Sequence, residues 1–101
     1  MSNRFSPGSR DKNEHLFTEL LRATGTRYNL APEGHGMDIY VFFPDGIDCW
    51  EIKRDDLPPS KTQLTECEKE MQAKCFMLNI PYFVFKTVEQ AEDRINERRI
   101  G

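Results

Sequence analysis

Asp38, Glu51 and Lys53 are the residues of this chain whose types and spacing could do chemistry. In a strand alternate side chains share a face. If residues 47–53 form a strand, Glu51 and Lys53 point to one side with Cys49, and Trp50 and Ile52 point to the other, toward a core. A carboxylate and an ammonium on one face of an inner strand are costly to bury without partners or a task. Asp38 begins the preceding β-prone run, so a hairpin brings it close. A four-residue loop from Phe43 to Gly46 sets Asp38 directly opposite Glu51. A two-residue Asp45-Gly46 turn sets it opposite Lys53, and an odd loop without a bulge sends it to the wrong face. Two convergent carboxylates make a hard-oxygen site for Mg²⁺ or Mn²⁺. Such an ion polarises a phosphoryl oxygen and lowers the pKa of bound water. An adjacent ammonium orients that water or stabilises charge developing on the phosphate. Asp, Glu and Lys together are therefore sufficient for metal-assisted phosphodiester hydrolysis.

The elements that must position these residues follow from periodicity and punctuation. Residues 1–10 read as a mobile arm, and residues 11–101 as a single domain. Asp11 or Asn13 opens a helix running to about Ala23, with Leu16, Phe17, Leu20 and Leu21 as its buried face and Gly25 as its stop. Residues 26–30 are β-prone, and residues 31–36 form a loop containing Pro32, Gly34 and Gly36. Residues 38–43 and 47–53 form a hairpin about the Pro44-Asp45-Gly46 turn. Pro58 and Pro59 fix a loop. A second long helix spans Ser60 to about Leu78, with Leu64, Cys67, Met71, Cys75 and Leu78 as its apolar stripe. Residues 82–86 form a fourth strand, and Val88 to about Arg98 a terminal helix with Val88, Ala91 and Ile95 inward. The order αβββαβα implies an α/β fold, a mixed four-stranded sheet flanked by helices, with the last two strands parallel through a helical crossover. Phe42, Phe43, Phe83 and Phe85 are assigned with Trp50 to the core.

Composition narrows the class. The net charge is −3. It is unevenly spread: residues 31–59 hold seven acidic and two basic side chains, whereas residues 1–30 have a small basic excess and residues 60–101 balance. This acidity is unlike an ordinary nucleic-acid-binding patch. No apolar run approaches the roughly 18 residues of a membrane span, and the polar N-terminus lacks the apolar stretch of a signal peptide. The expected setting is cytoplasmic. Cys49, Cys67 and Cys75, at spacings that match neither a zinc knuckle nor a CxxC pair, read as buried reduced thiols.

Around these residues the chain resembles a known family. Gly36-Met37-Asp38, followed one hairpin later by Glu51-Ile52-Lys53, is similar to the PD-(D/E)xK nuclease superfamily. It is closest to small virus-type replication-repair nuclease domains and archaeal-type Holliday junction resolvases. The resemblance covers roughly residues 9–95, with Met37 in place of the signature proline. It implies a restriction-endonuclease-like core, metal held by Asp38, Glu51 and the main-chain carbonyl of Ile52, and Lys53 positioning the attacking water. It also implies that Glu14 assists the metal site and that Gln63, on the following helix, orients Lys53 or substrate.

Several of these residues have competing roles. Asp11-x-x-Glu14 and Ser60-x-x-Gln63 are both capping-box patterns, so Glu14 and Gln63 serve helix starts as readily as chemistry. His35, Arg54, Arg10 and Lys12 are candidate DNA contacts, or else solvated charges. The expectation is a Mg²⁺-dependent endonuclease acting on branched DNA such as a four-way junction, with Mn²⁺ able to substitute, no small-molecule cofactor and no membrane. A homodimer follows, because symmetric cutting of a junction needs two sites related by a two-fold axis. The alternatives are a catalytically inactive module of the same fold, from a phage or mobile element, and a restriction-type or flap nuclease.

Overall fold

The computed structural model describes residues 13–100. The expected arm, and with it Arg10 and Lys12, lies outside them. The elements are α1 (Glu14–Ala23), β1 (Arg27–Leu30), β2 (Ile39–Phe43), β3 (Gly46–Ile52), a 3₁₀ turn (Pro59–Lys61), α2 (Glu66–Met77), β4 (Tyr82–Phe85) and α3 (Val88–Ile100). The strands form one mixed sheet in the order β1-β2-β3-β4. The first two pairings are antiparallel, and β3 runs parallel to β4. The α/β class, the element order and the helical crossover are as the sequence implies.

Strand alternation divides the sheet into two faces. On one, Ile39, Val41, Trp50 and Ile52 pack beneath Phe17 and Leu21 of α1 and Ala91 and Ile95 of α3. Trp50 meets Phe85 edge-to-face, with ring centroids 4.9 Å apart. On the other, Cys49 joins Cys75 of α2, with Met37 and Ala31 from the loop before β2. The hairpin closes at Phe43 opposite Gly46, with Ile39 opposite Trp50. Continued by one residue, this register sets Asp38 opposite Glu51.

A buried ion cluster ties α3 to the sheet. Asp48 is fully buried on the face that carries Trp50. It accepts hydrogen bonds from Arg94 Nε at 2.7 Å and Nη2 at 2.9 Å, from Arg98 Nη1 at 3.3 Å and from Trp50 Nε1 at 3.1 Å. Arg98 also pairs with Asp45 in the hairpin turn. The guanidinium groups of Arg94 and Arg98 lie over the rings of Phe83 and Phe43. Two of the seven central acids, Asp45 and Asp48, are thus engaged in holding α3 to the sheet.

Four local expectations are corrected. The α1 stripe runs through Glu14, Phe17, Thr18 and Leu21, and Leu16 is 42% exposed. A 3.6-residue period that contains Phe17 and Leu21 leaves Leu16 off the contact face. Phe42 is 38% exposed because it alternates away from Val41 on a thin part of the sheet. The long second helix is shorter than expected. Thr62 Oγ1 bonds back to the Pro59 carbonyl and closes a single 3₁₀ turn, so the helix restarts at Thr65. There, Thr65 and Glu68 form the capping box that the pattern assigned to Ser60 and Gln63. The α2 stripe is also thinner: Cys75 is buried, whereas Cys67 and Leu78 are exposed. Cys67 is held instead by a hydrogen bond from its Sγ to the Gly34 carbonyl.

Candidate active site

The hairpin register delivers the expected constellation. Asp38 sits in a bend immediately before β2, one residue short of the strand that the sequence pattern placed it in. Its amide donates to the Trp50 carbonyl at 2.9 Å, and its Oδ2 accepts from the Ile52 amide at 2.8 Å. That side-chain bond replaces a ladder hydrogen bond and aims the carboxylate at the end of β3. Glu51, on the α2 face of β3, is 4% exposed. Lys53 follows on the same face, with Nζ 3.5 Å from Glu51 Oε2. Ile52 turns its side chain into the opposite core, so its main chain alone faces the site.

The loop carrying Asp38 is clamped from two sides. Tyr82 Oη, from β4, donates to the Gly36 carbonyl at 2.7 Å. Gly36 has φ +79°, and a Cβ there would lie 2.6 Å from both the Cys67 carbonyl oxygen and Met71 Cβ of α2. Glycine is required both by the left-handed conformation and by the close approach of the helix.

A fourth residue completes the cluster, and sequence reasoning missed it. Glu68, in the first turn of α2, accepts from Lys53 Nζ at 2.9 Å. The same Oε1 accepts from the Thr65 amide at 2.9 Å, while Thr65 Oγ1 accepts from the Glu68 amide at 3.2 Å. The signal was present as Thr65-x-x-Glu68, a second capping pattern beside the one chosen. Two cavities, of about 310 and 220 Å³, share Asp38, Glu51 and Glu68 in their walls. The smaller is also lined by Lys53, Arg54 and Lys61. Lys61 is a further cation that the sequence reading passed over.

The electrostatics follow from crowding. Burial, then the neighbouring Asp38 and Glu68 carboxylates, push the Glu51 carboxyl up to about 9, against the opposing pull of Lys53. Burial works against charge on Lys53, but the bond to Glu68 and the charge of Glu51 more than offset it and raise its pKa. Glu68 is likewise opposed by burial, and the Thr65 amide and Lys53 hold it below the usual carboxylate range. The Tyr82 hydroxyl is raised by burial and by the same carboxyls. A cation bound beside Glu51 would compete with the proton that burial and crowding favour there. Lys53 is an ion with donors only, suited to orienting a water or a phosphate oxygen and unable to act as a base.

Among the described residues, no group of three or more His, Cys, Asp and Glu side chains is placed to hold a metal ion. An ion here would be bound by Asp38, Glu51, the Ile52 carbonyl and water. That donor set fits a small hard cation, which is held by one or two carboxylates and keeps several waters.

Of the other candidates among the described residues, Arg54 borders the smaller cavity, and Glu14, Gln63 and His35 line neither. Glu14 is buried at the start of α1 and lines neither acidic cavity. The N-cap of α1 is Asn13, which makes no side-chain cap, so Glu14 stands at the first helical position and not at the third position of a capping box. Gln63 is exposed in the loop before α2, not on the helix, and lines neither cavity. His35 is exposed, with Nδ1 3.2 Å from Tyr40 Oη. Arg54 grips Asp56 with Nε and Nη2 at 2.9 and 2.6 Å. No protein-family model, curated protein or solved structure matches this chain.

Proposed function

We propose that the protein is a metal-dependent nuclease that hydrolyses DNA phosphodiester bonds, with Mg²⁺ at the Asp38–Glu51 pair. The observation that carries this reading is the meeting of Asp38, Glu51 and Lys53 at the end of β3, in the wall of one cavity whose two carboxylates also line a second. When bound, the ion would polarise a phosphoryl oxygen and acidify a water. Asp38 and Glu51 supply its carboxylates, and the Ile52 amide fixes the direction of Asp38. Lys53 donates to the attacking water or to a non-bridging phosphate oxygen. Lys61, at the rim, offers a phosphate contact. A small acidic domain has little surface for reading base sequence, so branched DNA is the favoured substrate, and a two-fold pair of chains would place two such sites on one junction.

Cleavage of a labelled four-way junction with Mg²⁺ tests the reading. Lys53→Ala is expected to cost about 10²–10³-fold in kcat, the usual loss of one donor to a developing oxyanion. A Lys53→Ala protein that cuts as fast as the parent rejects the mechanism. In parallel, millimolar Mn²⁺ or Mg²⁺ raises Tm for the parent and not for Asp38→Ala. A second reading, an inactive module on the same fold, is favoured by the grip of Glu68 on Lys53 and by the acidic central segment. It predicts neither cleavage nor a metal-dependent shift.

A further inference from the structure

We infer that Glu68 is a positioning residue, which holds the Lys53 ammonium against Glu51 from the first turn of α2. The inference rests on the nuclease reading for its kinetic consequence, but its geometric content stands apart. Lysine is a flexible four-carbon stem that loses rotamer freedom when it is held, so an ammonium that must present a donor at a fixed point needs a second anchor. Glu51 lies 3.5 Å from Nζ, longer than a strong charged hydrogen bond, whereas Glu68 lies at 2.9 Å. The Lys53 and Glu68 side chains are both largely buried.

Glu68 is itself immobilised by the capping box. Its Oε1 receives both the Thr65 amide and Lys53 Nζ, so the acceptor that starts the helix is also the acceptor that fixes the lysine. A surface capping glutamate would do only the first. This is the task that the family resemblance implies for Gln63, carried out here by an acid five residues further on, in the first turn of α2. The α2 N-terminus is in turn pressed onto the Asp38 loop, through Gly36 against Cys67 and Met71. One short segment thereby sets the relative position of Asp38 and Lys53.

Three variants of the full chain separate positioning from capping. Thr65→Ala removes the Thr65 half of the box and leaves the Glu68 carboxylate in place. Glu68→Ala removes both functions. Glu68→Gln keeps a residue competent to cap but removes the charge facing Lys53. Two readouts are taken: the ¹⁵N-edited NMR signal of the Lys53 ammonium protons, visible when hydrogen bonding slows their exchange, and kcat and KM for Mg²⁺-dependent junction cleavage. Thr65→Ala is expected to lower Tm by a few degrees while keeping the ammonium signal and kcat. Glu68→Ala is expected to lose the signal and to drop kcat at least tenfold at unchanged KM, and Glu68→Gln to match the parent in Tm and recover part of kcat. If Glu68→Gln keeps both the signal and kcat, or if Thr65→Ala reproduces every effect of Glu68→Ala, the positioning role is rejected. If the parent cuts no DNA, the nuclease reading falls, and the ammonium signal alone decides whether Glu68 holds Lys53.

Discussion

Glu51 is the residue on which the electrostatics turn. Its carboxyl is pushed from an ordinary 4.5 up to about 9, first by burial and then by Asp38 and Glu68. Below pH 4.5 the folded and unfolded chains both carry its proton, and it contributes no pH dependence. Between about 4.5 and 9 the unfolded chain releases the proton while the folded chain keeps it, so Glu51 costs stability progressively as pH rises. Urea unfolding of the metal-free protein is therefore expected to weaken across this window relative to Glu51→Gln, whose curve should be flatter. A parent curve parallel to that of Glu51→Gln would remove this account. On the proposed nuclease reading, Mg²⁺ should reverse the trend for the parent, because a bound cation would displace the proton and its affinity would grow with pH. Glu51 and Lys53 are legible as a pair from alternation along β3, and Asp38 joins them only through the hairpin register. Glu68 is not legible, because two capping patterns compete in residues 60–68, and local sequence does not say which one starts the helix.

At the scale of elements, α3 is joined to the sheet by charge as well as by apolar contact. Asp48 is fully buried, and Arg94 and Arg98 stand one helical turn apart to meet it. Removing one member of a buried ion cluster leaves the others unpaired, which costs about 3–5 kcal/mol. Asp48→Ala is accordingly expected to lose about that much stability in urea unfolding. It should leave kcat for junction cleavage unchanged at low temperature, since Asp48 and Glu51 point to opposite faces of β3. A loss of kcat larger than the loss of folded protein would mean that the two faces are coupled. The cluster was hidden in the sequence: Asp48 counted as one of many central acids, and its partners lie 46 and 50 residues away. The hairpin was legible from its alternating runs and its Pro-Asp-Gly turn. Its register is open in the sequence among a four-residue Phe43–Gly46 loop, a two-residue Asp45-Gly46 turn and an odd loop; the structure pairs Phe43 with Gly46 about a Pro44-Asp45 turn, which gives the register of the first with a shorter connection.

Across the whole molecule, burial is lopsided. The face shared by α1 and α3 carries the main core, while α2 covers the other face thinly. Phe76, Met77 and Leu78, at the end of α2, are 83%, 80% and 68% exposed. Asn79, with φ +58°, then ends the helix and sends the chain into β4. Phe76→Ser is therefore expected to change unfolding stability by no more than about 0.5 kcal/mol. Trp50→Ala, by contrast, should cost about 3–5 kcal/mol. A large loss at Phe76 would show that the helix end is covered in solution. None of the helices among the described residues is long and apolar enough to cross a membrane.

The sequence by itself determined what depends on near neighbours. Strand alternation placed Glu51 and Lys53 on one face and Trp50 and Ile52 on the other, and glycine and proline marked the turns. The order of elements then dictated a mixed sheet with a helical crossover. Only the tertiary structure decided what depends on distant groups sharing a small space. It chose the register that brings Asp38 beside Ile52, gave Glu68 rather than Gln63 to Lys53, and bound Asp48 to the arginines of α3. The physical reason is range. Backbone preference and periodicity act over a few residues, whereas charge pairing and desolvation act between whichever groups the packed chain brings together.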